Sequence, residues 1–325
     1  MAANNDTLVC HLTKCTPNSM VASARIANYI AAQLQAPLVD DEETAAHWQP
    51  HLPGLRLFVL VNSPTGFAPE AVRRFSAEAL YHARHAVFAN NDYKIKPPSQ
   101  SKTHMRRVWG THKGESSDYY GYSLWTTVPA AMRMVKRPLD SYVNWNQLTY
   151  SPQPEAESHT NRATGLLYWG ALRLGREAEL RRYLATDKFT VVISTAPQSV
   201  AKFTEHVPQA HYISQLKPLL PSLLHYRATL YTQDDYSDRV YCSPANRFYE
   251  ALGAGLAIFI AHNSRNTFEA AKLPGYEEFV VRSADDISRL LPHAEQIARK
   301  QRALWDNNYQ TLLQQQLKEA HAKTI

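Results

Sequence analysis

Residues 164–184, TGLLYWGALRLGREAELRRYL, decide the fold predicted for this chain. The segment opens with an apolar run at 165–172 that has the length and composition of a buried strand. It turns through Arg173, Gly175 and Arg176, and its later apolar residues have helical spacing. The segment therefore predicts a strand, a glycine-containing turn and a helix, which together form a unit of an open parallel α/β sheet.

The two arginines of this turn are candidate ligands for a diphosphate. In an open α/β sheet, ligands bind beyond the carboxyl ends of the strands, where Arg173 and Arg176 are expected to lie. Two guanidiniums beside the free N–H groups of a helix start suit a diphosphate. The alternative is that both are solvated arginines flanking an ordinary connection.

Length and composition limit the class of protein. A chain of 325 residues is long enough for two domains, and no apolar run reaches the length of a membrane span. The N-terminus has no secretory signal, and three cysteines without a pairing pattern suit a reducing compartment. The net charge of +6 favours polyanionic partners. We therefore expect a cytoplasmic protein with no membrane partner.

Strand and helix patterns alternate through both halves of the chain, which favours parallel sheets. In the first half, strands are predicted at 7–12, 37–39, 55–61, 86–89 and 140–150, helices at 20–34 and 69–84, and a solvated acidic turn at 40–43. In the second half, strands are predicted at 189–194, 210–214 and 228–231, helices at 198–206 and 222–227, a helix and strand within 243–262, and a long helix at 295–322. The prediction is an N-terminal domain at 1–155, with a linker at 151–162, a C-terminal domain at 156–300, and a helix at 301–325 packing back on the first domain.

A second informative segment, RFYEALGAG, occupies residues 247–255. Glu250 lies in an amphipathic helix, and its carboxylate can accept hydrogen bonds from both vicinal hydroxyls of a ribose. The small residues that follow allow the helix to approach the sheet and a ligand closely. Taken alone, the segment favours the simpler alternative, a surface glutamate in a helix that packs on the sheet.

Together, YWGALRLGREAELRRYL and RFYEALGAG resemble the donor site of bacteriophage DNA glucosyltransferases that act on hydroxymethylated bases. The close resemblance covers 164–184 and 243–260, and the order of elements extends it over most of the chain. It implies an α/β fold of the GT-B type, with two Rossmann-like domains facing a central cleft. It also implies that Arg173 and Arg176 bind the donor diphosphate and that Glu250 binds the ribose, with Arg247 and Gly170 completing the donor-binding set.

Two residues of the first half are candidates for catalysis. Asp92 follows the predicted strand at 86–89, faces the cleft in this architecture, and could accept a hydroxyl proton as general base. Its alternative role is that of a turn aspartate that caps a loop. His11, after the first strand, is the reserve candidate, and its alternative is a packed histidine at a strand end.

Residues 93–129 break the α/β pattern and combine cations with aromatic side chains. The candidate DNA-binding cations are Lys94, Lys96, Lys102, Arg106, Arg107 and Lys113. The accompanying aromatic residues are Tyr93, Trp109, Tyr119, Tyr120, Tyr122 and Trp125. The cations would contact phosphates, and the aromatic side chains would stack on or replace an extruded base. The alternative is a solvated loop with aromatic residues returning to the core.

Other chemistries have little support in the sequence. The chain has neither the GxGxxG motif of dinucleotide-binding enzymes nor the GxxxxGK[ST] motif of P-loop proteins, and it has no D-x-D metal motif. His47 and His51 have helical spacing, but Pro50 separates them. His82 and His85 have no acidic or cysteine partner nearby in sequence. We therefore expect a site that requires no metal or other cofactor.

These observations predict a hexosyl- or pentosyltransferase. It would move a sugar from a UDP-sugar, such as UDP-glucose, to the hydroxymethyl group of a base such as 5-hydroxymethylcytosine in duplex DNA, by base flipping. The alternatives are the same fold acting on a glycan, lipid or small molecule, and a non-catalytic DNA-binding protein. We expect a monomer, located in the host cytoplasm if the chain is phage-encoded. The sugar, the choice between hydroxymethylcytosine and hydroxymethyluracil, and retention or inversion stay open.

Overall fold

The chain divides into two compact units, Met1–Leu148 with Gln310–Ile325, and Thr149–Tyr309. A computed structural model describes residues 6–16, 21–61, 68–90, 122–127, 141–153, 162–170, 176–214, 216 and 219–325. Each unit contains a six-stranded sheet in which every pairing is parallel. The division places residues 149–155 in the second unit, whereas the sequence predicted a boundary at 155.

The first sheet has the strand order β2-β1-β3-β4-β5-β6. Its strands are β1 (Thr7–His11), β2 (Leu38–Val39), β3 (Leu57–Val61), β4 (His85–Asn90), β5 (Tyr122–Thr126) and β6 (Ser141–Tyr142). The helices described between them are α1 (Ala22–Leu34), α2 (Glu42–Trp48) and α3 (Glu70–His82). β1 and β3 are buried along their whole length, as expected of strands in a parallel sheet covered on both faces.

The second sheet has the order β12-β11-β10-β7-β8-β9. Its strands are β7 (Ala163–Trp169), β8 (Val191–Ser194), β9 (His211–Ile213), β10 (Tyr226–Tyr231), β11 (Ala257–Ala261) and β12 (Val280–Val281). The helices are α4 (Glu177–Leu184), α5 (Pro197–His206), α6 (Leu219–Leu223), α7 (Asp235–Val240), α8 (Asn246–Gly253), α9 (Arg265–Ala270), α10 (Ala284–Leu290) and α11 (Ala294–Trp305). β11, AIFIA, is fully buried, because it lies inside a sheet with helices on its faces.

The last helix, α12 (Tyr309–Thr324), belongs to the core of the first unit. Leu313, Leu317 and Ala320 are buried in the same cluster as β1 and β3. The indole Nε1 of Trp125 in β5 donates a hydrogen bond to Thr324 Oγ1 at 3.2 Å. The hydrophobic core of the first unit is therefore complete only when the final helix, α12, packs into it.

The acidic residues 40–43 do not form the predicted solvated turn. Asp41 is the N-cap of α2, and its carboxylate accepts a hydrogen bond from the Thr44 N–H at 2.9 Å. Asp40 is buried and accepts a hydrogen bond from the Cys15 N–H at 2.7 Å. The sequence DEET has the spacing of a capping box, so a helix begins where a turn was predicted.

Other segments also differ from the sequence prediction, among them the predicted helix at 222–227, where the structure has α6 at Leu219–Leu223 and β10 from Tyr226. The predicted strand at 140–150 is the two-residue β6 followed by a 3-10 helix, Trp145–Thr149. The predicted helix at 295–322 is two helices, because Asp306, Asn307 and Asn308 favour turns over helix interiors. β5 was not predicted, since it lies in a segment rich in charged and polar residues, and Trp125 on it is fully buried.

Candidate functional site

Gly170 directly follows β7 at the carboxyl edge of the second sheet, where ligands bind in open α/β sheets. Its φ of +136° lies in a region that side chains rarely allow. The Gly170 N–H donates to the Ser194 carbonyl oxygen at 3.2 Å, and its carbonyl oxygen accepts from Thr195 Oγ1 at 3.0 Å. A Cβ here would lie 3.4 Å from Arg247 Nη1, so glycine both allows the turn and leaves room for this guanidinium.

Arg176, at the N-cap position of α4, is 3% exposed and lies against two neighbouring strand ends. Its Nη1 donates to the Tyr168 hydroxyl of β7 at 3.3 Å, and its Nη2 lies 3.6 Å from Asp234 Oδ2 just after β10. Asp234 is the N-cap of α7 and accepts from the Ser237 N–H at 2.9 Å. The pKa of Asp234 is lowered, because the Ser237 hydrogen bonds and the Arg176 charge together outweigh its burial.

Arg247, near the start of α8, reaches the ends of the same two strands. Its Nη2 donates to the Thr232 carbonyl oxygen, and its guanidinium carbon lies 4.9 Å from the centre of the Tyr231 ring. Burial raises the pKa of Tyr231, while the charges of Arg247 and Arg176 oppose this rise. Both arginines therefore act on the same buried ring at the end of β10.

Glu250 follows Arg247 by three positions in α8, so the two side chains lie on one face of the helix. Glu250 is 5% exposed. The end of α8 packs tightly on residues 151–153, because a Cβ at Gly253 would lie 2.5 Å from the Ser151 carbonyl oxygen. The Gly253 carbonyl oxygen also accepts from the Gln153 N–H at 3.0 Å, so this part of the predicted linker is packed against the helix.

We call Gly170, Arg176, Arg247 and Glu250 the edge group. The structure brings together four of the five residues predicted for donor binding, while Arg173 lies outside the described residues. One buried guanidinium, Arg176, and one part-buried guanidinium, Arg247, can hold an anion strongly, because water screens their fields poorly. A buried carboxylate on the same helix face can accept hydrogen bonds from hydroxyl groups. The arrangement therefore suits a phosphorylated ligand that also carries hydroxyls.

The sequence analysis missed Asp234, Tyr168 and Tyr231 as members of this site. An aspartate before a helix is an N-cap signal, and Asp234, directly before α7, carried that signal. The two tyrosines lie within apolar strand patterns, which conceal their polar hydroxyls. No local pattern links Asp234 to Arg176, because their contact joins distant parts of the chain.

His11 is the last residue of β1 in the first unit and is fully buried. Its Nδ1 lies 2.6 Å from the Thr13 carbonyl oxygen, which can only accept, so Nδ1 donates. Nε2 then accepts from Ser23 Oγ at 2.9 Å. Burial lowers the pKa of His11, although the Thr13 bond and the Asp40 charge oppose this shift. The ring is therefore neutral near pH 7, and its catalytic role stays a prediction.

The other predicted site residues lie outside the described residues. They are Asp92, Lys94, Lys96, Lys102, Arg106, Arg107 and Lys113. Within the ranges that the structure describes, no three His, Cys, Asp or Glu side chains are placed to hold a metal ion. None of the described helices has the length and apolar character needed to cross a membrane.

Two parallel six-stranded sheets with flanking helices define the GT-B fold of glycosyltransferases, and the predicted fold class is confirmed. The chain resembles T4 phage BGT, a beta-glucosyltransferase, in complex with its UDP-glucose substrate. The TM-score is 0.67 at 12% identity, over 97% of this chain and 98% of BGT. HepE from Anabaena, in complex with UDP-glucose, matches with a TM-score of 0.53 at 11% identity, over 97% and 99% of the two chains.

The likeness to BGT covers nearly the whole chain, beyond the two segments on which the resemblance was based. Another structure of the phage enzyme contains UDP and Mn²⁺. No protein-family model matches this chain, and no curated protein matches it in sequence. The relationship is therefore one of fold.

Proposed function

We propose that the chain is a glycosyltransferase that moves a sugar from a UDP-sugar to the hydroxymethyl group of a modified base in duplex DNA. The observation that carries this proposal is the edge group, located at the carboxyl edge of the second sheet of a GT-B fold. BGT is described as a DNA modifying enzyme and binds UDP-glucose, and HepE also binds UDP-glucose. These similarities support both the donor and the reaction class.

In this proposal, Arg176 and Arg247 bind the donor diphosphate, with Arg173 as a third cation. When the bond from the sugar to the diphosphate breaks, negative charge grows on the leaving phosphate. Guanidiniums already held in place stabilise that charge without reorganisation, so no metal ion is required for this step. Glu250 accepts hydrogen bonds from the ribose hydroxyls and so fixes the position of the nucleotide.

The acceptor side of the proposal involves the first unit. Asp92 is the proposed general base that takes the proton of the attacking hydroxyl, and His11 is the reserve candidate. The hydroxymethyl group of a stacked base is out of reach, so the nucleotide has to be extruded from the duplex. The cations at residues 94–113 are proposed to hold the backbone beside it.

The second candidate is the same transfer to a glycan, lipid or small molecule. Both matched proteins share the fold and bind UDP-glucose, so the donor features support either acceptor equally. The greater structural similarity to BGT, with a TM-score of 0.67 against 0.53, favours DNA.

The deciding experiment is transfer to DNA with a panel of UDP-sugars. Duplexes carrying hydroxymethylcytosine, hydroxymethyluracil or neither are incubated with the full chain, digested, and analysed by mass spectrometry of the nucleosides. We expect a glycosylated nucleoside from one of the modified duplexes only. Donor consumption without any modified nucleoside would point to the second candidate. UDP binding without donor consumption would point to a non-catalytic protein.

The donor site is tested separately by calorimetry with UDP. Arg247→Ala and Glu250→Gln should each weaken binding by about 10- to 100-fold, because each removes a charged hydrogen-bonding group worth roughly 1.5 to 3 kcal/mol. Arg299→Ala, an exposed arginine of α11 paired with Glu295, is the control and should bind as the wild type does. Unchanged affinity in both edge-group variants would refute the donor assignment.

A further inference from the structure

Four residues outside the edge group gather at one end of the same sheet edge. We call Arg182, Arg265, Arg282 and His262 the arginine cluster. His262 directly follows β11, Arg282 directly follows β12, Arg182 lies in the last turn of α4, and Arg265 begins α9. Because β11 and β12 are parallel neighbours, the residues that follow them emerge side by side. All three arginines are exposed.

The main chain fixes the position of this cluster. The buried Tyr183 hydroxyl accepts from the His262 N–H at 3.2 Å and donates to the Val281 carbonyl oxygen at 3.2 Å, which ties α4 to the ends of β11 and β12. Arg182 Nε donates to the Arg282 carbonyl oxygen at 2.8 Å. Backbone hydrogen bonds therefore place Arg182 beside Arg282, next to His262.

The charges of all three guanidiniums reach the side chain of His262. The pKa of His262 is lowered by partial burial and then by the charges of Arg265, Arg282 and Arg182. Arg265 Nη1 lies 3.1 Å from His262 Nε2, and a guanidinium can only donate, so Nε2 accepts this bond. The histidine is therefore a neutral support for a group of positive charges.

Among the side chains that the structure describes, no carboxylate forms an ion pair with these three arginines. Glu179 in α4 is attracted by the charge of Arg182, whereas two acids of α10 are engaged with other groups. Asp286 accepts from the Arg282 backbone N–H at 2.8 Å and pairs with Arg289 at 3.3 Å, and Asp285 pairs with Lys188. Like charges held close together repel each other, and a bound anion would relieve that repulsion.

We propose that the arginine cluster binds backbone phosphates of duplex DNA, an inference that rests on the proposed DNA acceptor. Guanidiniums pair with phosphates through two parallel hydrogen bonds, and exposed arginines suit this role. The cluster lies on the edge to which the edge group belongs, because β7, β10, β11 and β12 are successive strands.

The distance along this edge suits a DNA backbone. Three strand spacings of about 4.8 Å separate β12 from β7, or roughly 14 Å. That distance spans on the order of four phosphates, at a rise of about 3.4 Å per nucleotide. Phosphates a few nucleotides from a base whose hydroxymethyl group reaches the donor at the edge group are therefore in reach of the cluster.

The test is the salt dependence of DNA binding by the full chain, measured by fluorescence anisotropy with an unmodified duplex. The variant carries Arg182→Gln, Arg265→Gln and Arg282→Gln. Each lost phosphate contact lowers the slope of log affinity against log salt by about 0.9, so a decrease of about 2 to 3 is expected. The control carries Lys202→Gln, Arg299→Gln and Lys300→Gln, three exposed cations with the same total charge, and should keep most of the slope.

The UDP affinity should be unchanged in both triple variants, which also shows that they are folded. A wild-type slope in the cluster variant, or an equal decrease in the control, would overturn the inference while leaving the DNA acceptor intact. Failure of the wild type to bind any duplex while it binds UDP would overturn both. If the cluster variant does not fold, Arg265→Gln alone should lower the slope by about 0.9, and a smaller change overturns the inference.

Discussion

Asp234→Asn separates the two roles of the Arg176–Asp234 pair, one in stability and one in donor binding. Asparagine is as good an N-cap as aspartate, so α7 should keep its first hydrogen bond, from the Ser237 N–H. The substitution removes the negative charge beside Arg176, whose side chain is 4% exposed, and replaces one carboxylate oxygen by an amide nitrogen that can accept no hydrogen bond from Ser237 Oγ. The free protein should therefore be less stable and should bind UDP more tightly than the wild type.

The magnitude follows from the geometry of the pair. At 3.6 Å, opposite charges attract by about 4 to 5 kcal/mol at an effective dielectric constant near 20. Breaking a buried pair costs about 3 to 5 kcal/mol. Asp234 is 14% exposed and 3.6 Å is longer than a hydrogen bond, so we expect the lower value, about 3 kcal/mol. A diphosphate bound to the variant pairs with Arg176 and is not repelled by a carboxylate at position 234. We expect the binding free energy of UDP to improve by about 1.4 kcal/mol, which corresponds to tenfold tighter binding.

The free energy of unfolding is measured in urea without ligand, and UDP affinity by calorimetry. Arg176→Ala and the double variant complete a double-mutant cycle, whose coupling energy should be about 3 kcal/mol. Asp235→Asn is the matched control, since this exposed neighbour belongs to the same turn of α7 and should change neither quantity. Weaker UDP binding by Asp234→Asn would refute this reasoning, because it would mean that the carboxylate holds Arg176 in its binding position.

Three further outcomes are expected. Gly253→Ala should lower the free energy of unfolding by about 1 to 3 kcal/mol in thermal denaturation, because its Cβ meets the Ser151 backbone, whereas Gly54→Ala, with nothing within 4 Å, should not. Leu317→Ala should cost about 2 to 5 kcal/mol by urea unfolding while UDP affinity stays constant, since α12 packs in the first unit. Burial lowers the pKa of His11, so its contribution to stability is complete above about pH 6.5 and falls below it by up to about 1.4 kcal/mol per pH unit. In urea titrations from about pH 5 to 7.5, the stability advantage of the wild type over His11→Gln should shrink in acid, and a constant advantage would contradict this assignment.

Long apolar runs were the part of the fold that could be predicted from the sequence. β3, LFVLV, and β11, AIFIA, are buried on both faces, so their patterns alone identify them as strands. The short helices α2 and α7 were missed, because neither is long enough to repeat an amphipathic pattern. An aspartate is the N-cap of each: Asp41 precedes α2, and Asp234 precedes α7.

The candidate site was predictable where one segment carries several of its residues. Arg247 and Glu250 share one helix face and Gly170 directly follows a strand, so the two segments that carry the family resemblance also carry these residues, whose roles stay a prediction. The partner of Arg176 could not be found in this way, because Asp234 approaches it only when β7 and β10 pair. Trp125 was grouped with possible base-stacking residues, but the side chain is buried in the core of the first unit.

The return of α12 to the first unit has a consequence for synthesis on the ribosome. The second unit is a continuous segment, Thr149–Tyr309, whose two ends are held together by the Tyr150 and Tyr309 rings, 4.9 Å apart. The first unit lacks Leu313, Leu317 and Ala320 until the last residues have been added. Domains generally fold in the order in which they emerge. Here, however, all residues of the second unit precede α12, which the first unit needs to complete its core. A chain that ends at Tyr309 and is released from the ribosome should therefore hold a folded second unit and an incomplete first core.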